Sequence, residues 1–211
     1  REYLSAILRQ SETMGRLVGD LLLLASLERT VDRLDESPID LKPLLESLVY
    51  EARALSGSRH TIGFEFEGPP RLLAVPAEIE SAVRNLLTNA VRYTPDGGTI
   101  TLSWRARDDE GWLAVRDTGI GISVEHLPRI TERFYRVDRS RSRDTGGTGL
   151  GLAIVKRIAN RHHASLRIDS EPGKGSLFTL RFPARRLLAD QAAAVPVEVA
   201  EGAAISNAPQ A

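Results

Sequence analysis

The sequence predicts a two-layer α/β sandwich, with a mixed β-sheet and helices stacked on one face, preceded by one long amphipathic helix that lies outside it. Three observations carry this. Helical and strand periodicities alternate from Ile39 to Phe182. Two pairs of strand-like segments are joined by short polar or glycine turns, which makes each pair a hairpin. The first 29 residues keep a helical apolar stripe and no strand pattern. Three segments follow: 1–34, a helix that needs a partner; 35–183, the sandwich; and 184–211, an Ala-, Val- and Pro-rich tail without aromatic anchors, expected to be disordered.

Taken in order, Leu4, Ile7, Ser11, Met14, Val18, Leu21 and Ala25 recur at spacings of three and four, and Leu8, Leu17 and Leu24 widen the stripe. Such a helix packs on another helix or on a second copy of the chain. Asp35-Glu-Ser-Pro38 breaks it and reads as a hinge. Ile39-Asp40-Leu41 makes a short strand, with Asp40 capping a helix that starts near Lys42-Pro43 and stops at Ser56-Gly57-Ser58. Thr61 to Glu67 alternates as a half-buried strand, and Arg71 to Val75 forms another. Ala77 to Tyr93 is a helix whose buried face is Ile79, Val83, Leu86, Leu87 and Ala90. The turn Thr94-Pro95-Asp96-Gly97-Gly98 leads into strands Thr99–Arg105 and Trp112–Asp117. Arg136 to Thr148 is polar and irregular, a length that compact domains reserve for lids or disorder. Leu150 to Arg161 is helical, and Ser165–Ser170 with Ser176–Phe182 closes the sheet.

Composition excludes several chemistries. Cysteine is absent from the 211 residues, which removes disulfides, thiolate zinc sites and a cysteine nucleophile and fits a reducing compartment. Basic and acidic residues number 28 each, so no nucleic-acid partner is indicated. The longest apolar run, Leu21 to Ala25, is too short to cross a bilayer. The chain starts abruptly inside a helix at Arg1-Glu2-Tyr3, which points to upstream sequence that is missing here.

Three short stretches carry chemistry. Asn85-Leu-Leu-Thr-Asn89-Ala-Val-Arg92-Tyr93 puts two amides on one helix face. An amide oxygen is a hard, neutral ligand suited to magnesium that also holds phosphate oxygens, and Arg92 and Tyr93 add a cation and a phenol about one turn on. The bland alternative is a solvated helix face. Asp117-Thr-Gly119-Ile-Gly121 ends a strand with a carboxylate that can accept from the adenine amino group; the alternative is a strand-ending Asp in a glycine turn. Gly146-Gly147-Thr148-Gly149-Leu150-Gly151 precedes a helix, where free N–H groups favour an anion. It is neither the dinucleotide fingerprint nor the P-loop, and its alternative is a bare linker. Arg136, Arg139, Arg141 and Arg143 sit in the irregular stretch, and Arg136 and Arg141 are the candidates for clamping a γ-phosphate. In this order the stretches describe a pocket for ATP with Mg2+.

These residues resemble the C-terminal catalytic and ATP-binding region of bacterial sensor histidine kinases, in particular the phosphate-regulon sensor type. Asn85-Leu-Leu-Thr-Asn89-Ala is similar to that family's N box, Asp117-Thr-Gly119-Ile-Gly121 to its first glycine box, and Glu132-Arg-Phe134-Tyr135-Arg136 to its F box. Gly147-Thr148-Gly149-Leu150-Gly151-Leu is similar to the second glycine box, and Glu171-Pro-Gly173-Lys-Gly175-Ser176 to the closing glycine turn. The resemblance spans about residues 1–183. It implies the Bergerat-type ATP fold, with Asn89 as principal magnesium ligand, Asp117 reading adenine and Phe134 packing under the lid. Residues 1–34 resemble the second helix of a dimerization and phosphotransfer hairpin.

The resemblance also implies a homodimer in the intact protein, a response regulator as partner, and a cytoplasmic location beneath a membrane anchor absent from these residues. The family's phosphoacceptor histidine is not matched. His60, His126, His162 and His163 lack the acidic residue and Arg-Thr-Pro run that follow it, and are expected to be surface or capping residues. Phosphoryl transfer to a histidine on a hairpin supplied in trans or by missing upstream sequence is the expected activity. The alternative is a nucleotide-binding fragment that heterodimerises with a partner kinase and regulates it without turnover. Three departures from the family pattern stand out: Thr131 for a phenylalanine, Val75 for an aspartate ahead of the N-box helix, and Ala164 for a glycine.

Overall fold

A computed structural model of the chain describes residues 2–28, 34–107, 110–137 and 147–188. The stripe at the start forms helix α1, Glu2–Glu28. Strand β1, Ser37–Asp40, follows, and the Asp40 carboxylate accepts the Lys42 N–H at 3.2 Å to start helix α2, Leu41–Ser56. Asp35-Glu-Ser-Pro38 is thus partly strand, since Ser37 and Pro38 already pair in β1. Next come β2 (Thr61–Glu67), β3 (Arg71–Ala74) and helix α3 (Pro76–Tyr93), which starts on a proline whose missing N–H is not needed there. The hairpin β4 (Thr99–Arg107) and β5 (Glu110–Asp117) leads to helix α4, Gly151–Arg161, and then to β6 (Ser165–Glu171) and β7 (Gly175–Pro183).

The main sheet has the order β2-β4-β5-β7-β6. The β2–β4 pair is parallel, because β3 and α3 cross over between the two strands, and the remaining pairs are antiparallel. Alternation decides which face is buried. Leu102, Val115 and Phe178 lie in one cross-strand row, and Trp104, Leu113 and Leu180 in the next, all against the helices. The outward positions of the same strands carry Thr101, Ser103, Arg105 and Arg116. From α3, Ile79, Ala82, Val83, Leu86, Leu87 and Ala90 meet these rows, each large side chain contributing about 1.5–3 kcal/mol by burial. The expected two-layer sandwich with a mixed sheet is therefore present.

A second, smaller sheet has the order β1-β3-β8, where β8 is Leu187–Leu188. The fold thus continues past the expected boundary at 183. A 3-10 turn, Ala184–Arg186, places Arg186 at 5% exposure, where it donates to the Leu73 carbonyl and to Glu36, each at 2.8 Å. The remainder of the expected tail, 189–211, lies outside the described residues.

Helices α3 and α4 run antiparallel, with Glu78 beside Arg161 at one end and Asn85 beside Gly151 at the other. The C-terminal part of α1 packs on α4. Leu24 and Leu27 are buried, and Arg157 and Arg161 donate to the Leu27 carbonyl at 3.1 and 3.3 Å, satisfying a helix end that has no partner of its own. Glu28 forms an ion pair with Arg133.

Candidate functional site

The sandwich brings the three motif stretches together at one end of α3. Asn85 and Asn89 are half-buried, one turn apart on the same face. The Asn85 amide nitrogen donates to the Ser81 carbonyl at 2.9 Å, which turns its oxygen toward the start of α4, so close that a β-carbon on Gly151 would lie 2.6 Å from it. Arg92 is half-buried beneath Gly147, and its pKa is held below the ordinary arginine value first by burial and then by the charges of Arg16 and Arg136, against a hydrogen bond with Tyr93. Guanidinium groups from α3 and from the loop before the glycine motif therefore meet at Gly147, with the charge of Arg16 on α1 acting on Arg92. A polyanion is the ligand such a cluster favours.

Asp117 ends β5 on the inward face, at 6% exposure, between Ile100 and Ser176. Its Oδ1 accepts the N–H of Gly119 at 2.8 Å and of Ser176 at 3.2 Å. Burial raises its pKa, and the two backbone N–H groups oppose that rise. With Oδ1 committed to the backbone, Oδ2 is the atom left to meet a ligand's donor. The loop that follows is tied to α3, because Ile120 N–H donates to the Tyr93 carbonyl at 3.0 Å. Gly121 lies against the Glu171 carbonyl of the closing turn.

The glycine loop forms the third wall. Arg136 donates to the Gly147 carbonyl, and the Phe134 N–H donates to the Gly149 carbonyl at 2.9 Å. Thr148 accepts the Leu150 N–H at 3.3 Å and donates to Asp20 of α1 at 2.8 Å. Leu150 is fully buried under the loop, and Gly151 opens α4. Phe134 is 54% exposed with φ 61°. Arg139, Arg141, Arg143 and Gly146 lie outside the described residues, and with them most of the expected lid.

Sequence reasoning missed three contributors. Asp20 reaches the loop from a helix 128 residues away in sequence, and no local pattern announces that contact. Ser176 holds Asp117 through its backbone, so its residue type carries no signal. His162, expected as a surface or capping residue, takes the capping role from within the core, and its partner is the part left unread. The histidine is wholly buried, and its Nε2 accepts the Val75 N–H at 3.0 Å, so the helix start that lost an expected aspartate cap is held from across the interface. His60 also bridges helix ends, with Nε2 2.9 Å from the Thr94 carbonyl and Nδ1 3.0 Å from the Ser56 hydroxyl. His126 pairs with the Tyr135 hydroxyl at 2.8 Å, and Arg129 lies over that ring.

A carboxylate facing inward, two helical amides and a guanidinium cluster suit a purine nucleotide with a divalent cation. Among the described residues no three His, Cys, Asp or Glu side chains form a metal cluster, so a cation here would share its shell with phosphate oxygens and amides. No helix among the described residues is long and apolar enough to cross a membrane.

Residues 74–186 match the family described as histidine kinase-, DNA gyrase B-, and HSP90-like ATPase. The chain is 51% identical over 175 residues to the phosphate regulon sensor protein PhoR of Pseudomonas aeruginosa, covering 82% of this chain and 40% of that protein. It is 36% identical over 184 residues to the sensor-like histidine kinase SenX3 of Mycolicibacterium smegmatis, covering 87% of this chain and 48% of the relative. The chain thus spans less than half the length of these curated relatives. Among solved structures, full-length ShkA in complex with AMPPNP superposes with a TM-score of 0.76 at 26% identity, over 90% of this chain and 40% of that one. The mycobacterial sensor histidine kinase MprB superposes at 0.60 and 26% identity, over 72% of this chain and 99% of that one.

Proposed function

We propose that this chain, which belongs to the histidine kinase-, DNA gyrase B-, and HSP90-like ATPase family, is the ATP-binding catalytic region of a sensor histidine kinase of the phosphate-regulon type. The observation that carries the reading is Asp117. A buried carboxylate is costly to keep ionised, and this one is held at a strand end between an amide-bearing helix and a glycine loop.

Each wall has its task. Asp117 accepts from the adenine amino group through Oδ2. Asn89, with Asn85, would supply amide oxygen to a magnesium ion accompanying the triphosphate, which would neutralise charge there. Arg92 and Arg136 face the phosphates, and the Gly147–Gly151 backbone covers them. Transfer moves the γ-phosphoryl to an imidazole nitrogen, breaking the bond to the bridging β–γ oxygen, and depends on alignment and charge neutralisation.

None of the four histidines of the chain precedes the acidic residue and Arg-Thr-Pro run of the phosphoacceptor, so the receiving imidazole is one supplied by another segment. His162 and His60 have both ring nitrogens engaged, and His126 is paired with Tyr135. A histidine-bearing hairpin that associates with α1, in the intact protein or in trans, supplies it, and the phosphoryl group then passes to an aspartate of a response regulator. Both partners and ATP put the reaction in the cytoplasm.

Titration calorimetry with AMP-PNP and magnesium tests the pocket. Binding that is lost in Asp117→Ala and weakened in Asn89→Ala is expected, and unchanged affinity in both overturns the reading. Mixing the chain with the histidine-bearing hairpin of a relative and labelled ATP tests the chemistry. Acid-labile label on the hairpin supports the kinase, whereas tight nucleotide binding without transfer supports a regulatory fragment.

A further inference from the structure

The ends of α3 and α4 farthest from the glycine loop meet in a buried polar cluster that the pocket chemistry does not use. His162 is 0% exposed. Its Nε2 accepts the Val75 N–H at 3.0 Å, and its Nδ1 donates to the Ile158 carbonyl at 3.0 Å. An N–H only donates and a carbonyl only accepts, so these bonds fix a neutral ring with its proton on Nδ1.

Val75 is the N-cap of α3, and its apolar side chain makes no capping bond to the first turn. Glu78, three residues on, is where a capping carboxylate would turn back to the Val75 N–H. Instead Glu78 is held by Arg161 of α4, at 3.1 Å from Nη2 and 3.3 Å from Nε. The acceptor that the Val75 N–H does not find within α3 is supplied by α4. At about 1.5 Å per residue, Asn85 and Asn89 lie about 15 and 21 Å along α3 from this junction, and the glycine loop lies about 17 Å along α4. Both helices are therefore anchored at one end and work at the other.

We propose that His162 is a positioning residue for nucleotide binding, acting through Val75 to lock the register of α3, which carries Asn85, Asn89 and Arg92, against α4, whose first turn carries the glycine loop. This rests on the ATP reading of the pocket. Four charged groups surround the ring: Glu78 of α3 at 3.6 Å from Nδ1, Arg161 beside it on α4, Arg186 of the 3-10 turn, and Glu36 ahead of β1. Burial lowers the His162 pKa below 6.5 and Arg186 assists, while the Ile158 carbonyl, Glu78 and Glu36 oppose. The lock therefore holds at and above 6.5 and fails as pH falls through the lowered folded value, when Nε2 gains a proton and faces the Val75 N–H as a second donor.

The test measures affinity for magnesium AMP-PNP in the full chain and in two variants. His162→Leu removes the acceptor, whereas His162→Gln keeps a carbonyl oxygen within reach of Val75 and has no proton to gain. The leucine variant, folded by circular dichroism, is expected to bind about tenfold more weakly, the factor one buried hydrogen bond carries, and the glutamine variant to recover to within about twofold. As pH falls from 7.5 through the lowered folded value of His162, the wild type loses affinity that the glutamine variant keeps; any titration of Asp117 is common to both and cancels. If the leucine variant does not fold, the pH comparison of wild type and glutamine variant decides alone. Wild-type affinity in the leucine variant, an identical pH profile in the glutamine variant, or a glutamine variant that does not fold overturns the proposal. A wild type that binds no nucleotide at pH 7.5 overturns the pocket reading instead.

Discussion

The side-chain oxygen of Asn85 occupies the space beside Gly151 so closely that a β-carbon there would lie 2.6 Å from it. Two effects of Gly151→Ala then oppose each other. Alanine in the first turn of α4 favours the helix by up to about 1 kcal/mol. The clash is with the end of a side chain, which swings aside and gives up its bond to the Ser81 carbonyl, at a cost of about 1 kcal/mol. Stability is expected to change little while the amide leaves its place. Thermal melts of the variant should fall within a few degrees of wild type, and calorimetry should show weakened binding of magnesium AMP-PNP. Wild-type affinity would mean that Asn85 pins helices and does not serve the ligand.

Asp117 should trade stability for recognition. Its folded pKa is raised, so the protonated form is the one the fold prefers. Its contribution is most favourable below the ordinary carboxylate value of about 3.8 and is lost as pH rises through the folded value, leaving a net cost at pH 7. Asp117→Asn keeps an oxygen for the Gly119 and Ser176 N–H groups and removes the buried charge. The expected variant melts higher than wild type at pH 7, with the gap closing toward pH 4, and no longer binds ATP well, because an amide nitrogen directed at the adenine amino group is a second donor. A lower melting temperature at pH 7 would show that the carboxylate stabilises the fold.

What was legible in the sequence was local. Asn85 and Asn89 share a face because of helical spacing, and Asp117 stands at a strand end because β5 alternates up to it. The unread parts depend on contacts distant in sequence. Short strands near Ile39 and Arg71 were legible, but β8, of two residues, is too short to show a period, so the pairing of the small sheet and the buried Arg186 were hidden. The cap on Val75 comes from a histidine 87 residues away, and hydrophobic pattern does not encode such a pairing. Arg141 stands in a stretch with no periodicity to place it, and only its guanidinium chemistry marks it.

Two glycines of the closing turn should respond differently to alanine. Gly175 has φ +100°, and its β-carbon would lie 2.0 Å from the Asp117 carbonyl oxygen, a backbone atom held by the β5–β7 register. Gly173 also has positive φ, at +79°, but nothing lies within 4 Å. Gly173→Ala therefore meets only the left-handed strain of about 1–2 kcal/mol. Gly175→Ala adds a clash that only a shift of paired strands relieves, at a cost of about 4 kcal/mol or more. Denaturant melts measure both, and equal losses would mean that the strand pair gives way easily.

Helix α1 has one face committed and another bare. Leu24 and Leu27 are 3% and 1% exposed against α4, whereas Met14, Val18 and Leu22 are 61%, 53% and 68% exposed. An apolar face of this kind left in water favours association with a like face. Val18 and Leu22 stand four residues apart on that face, and glutamate at both places two like charges where a partner helix would dock. Neither side chain is part of the buried core, so Val18→Glu with Leu22→Glu should leave the melting temperature of the sandwich unchanged. Sedimentation equilibrium is expected to show wild type associating at micromolar concentration and the double variant monomeric, with equal affinity for AMP-PNP. A wild type that stays monomeric across that range, or a double variant that still associates, would overturn the assignment of this face of α1 as an association surface, because Val18 and Leu22 stand at its centre with Met14 one turn away.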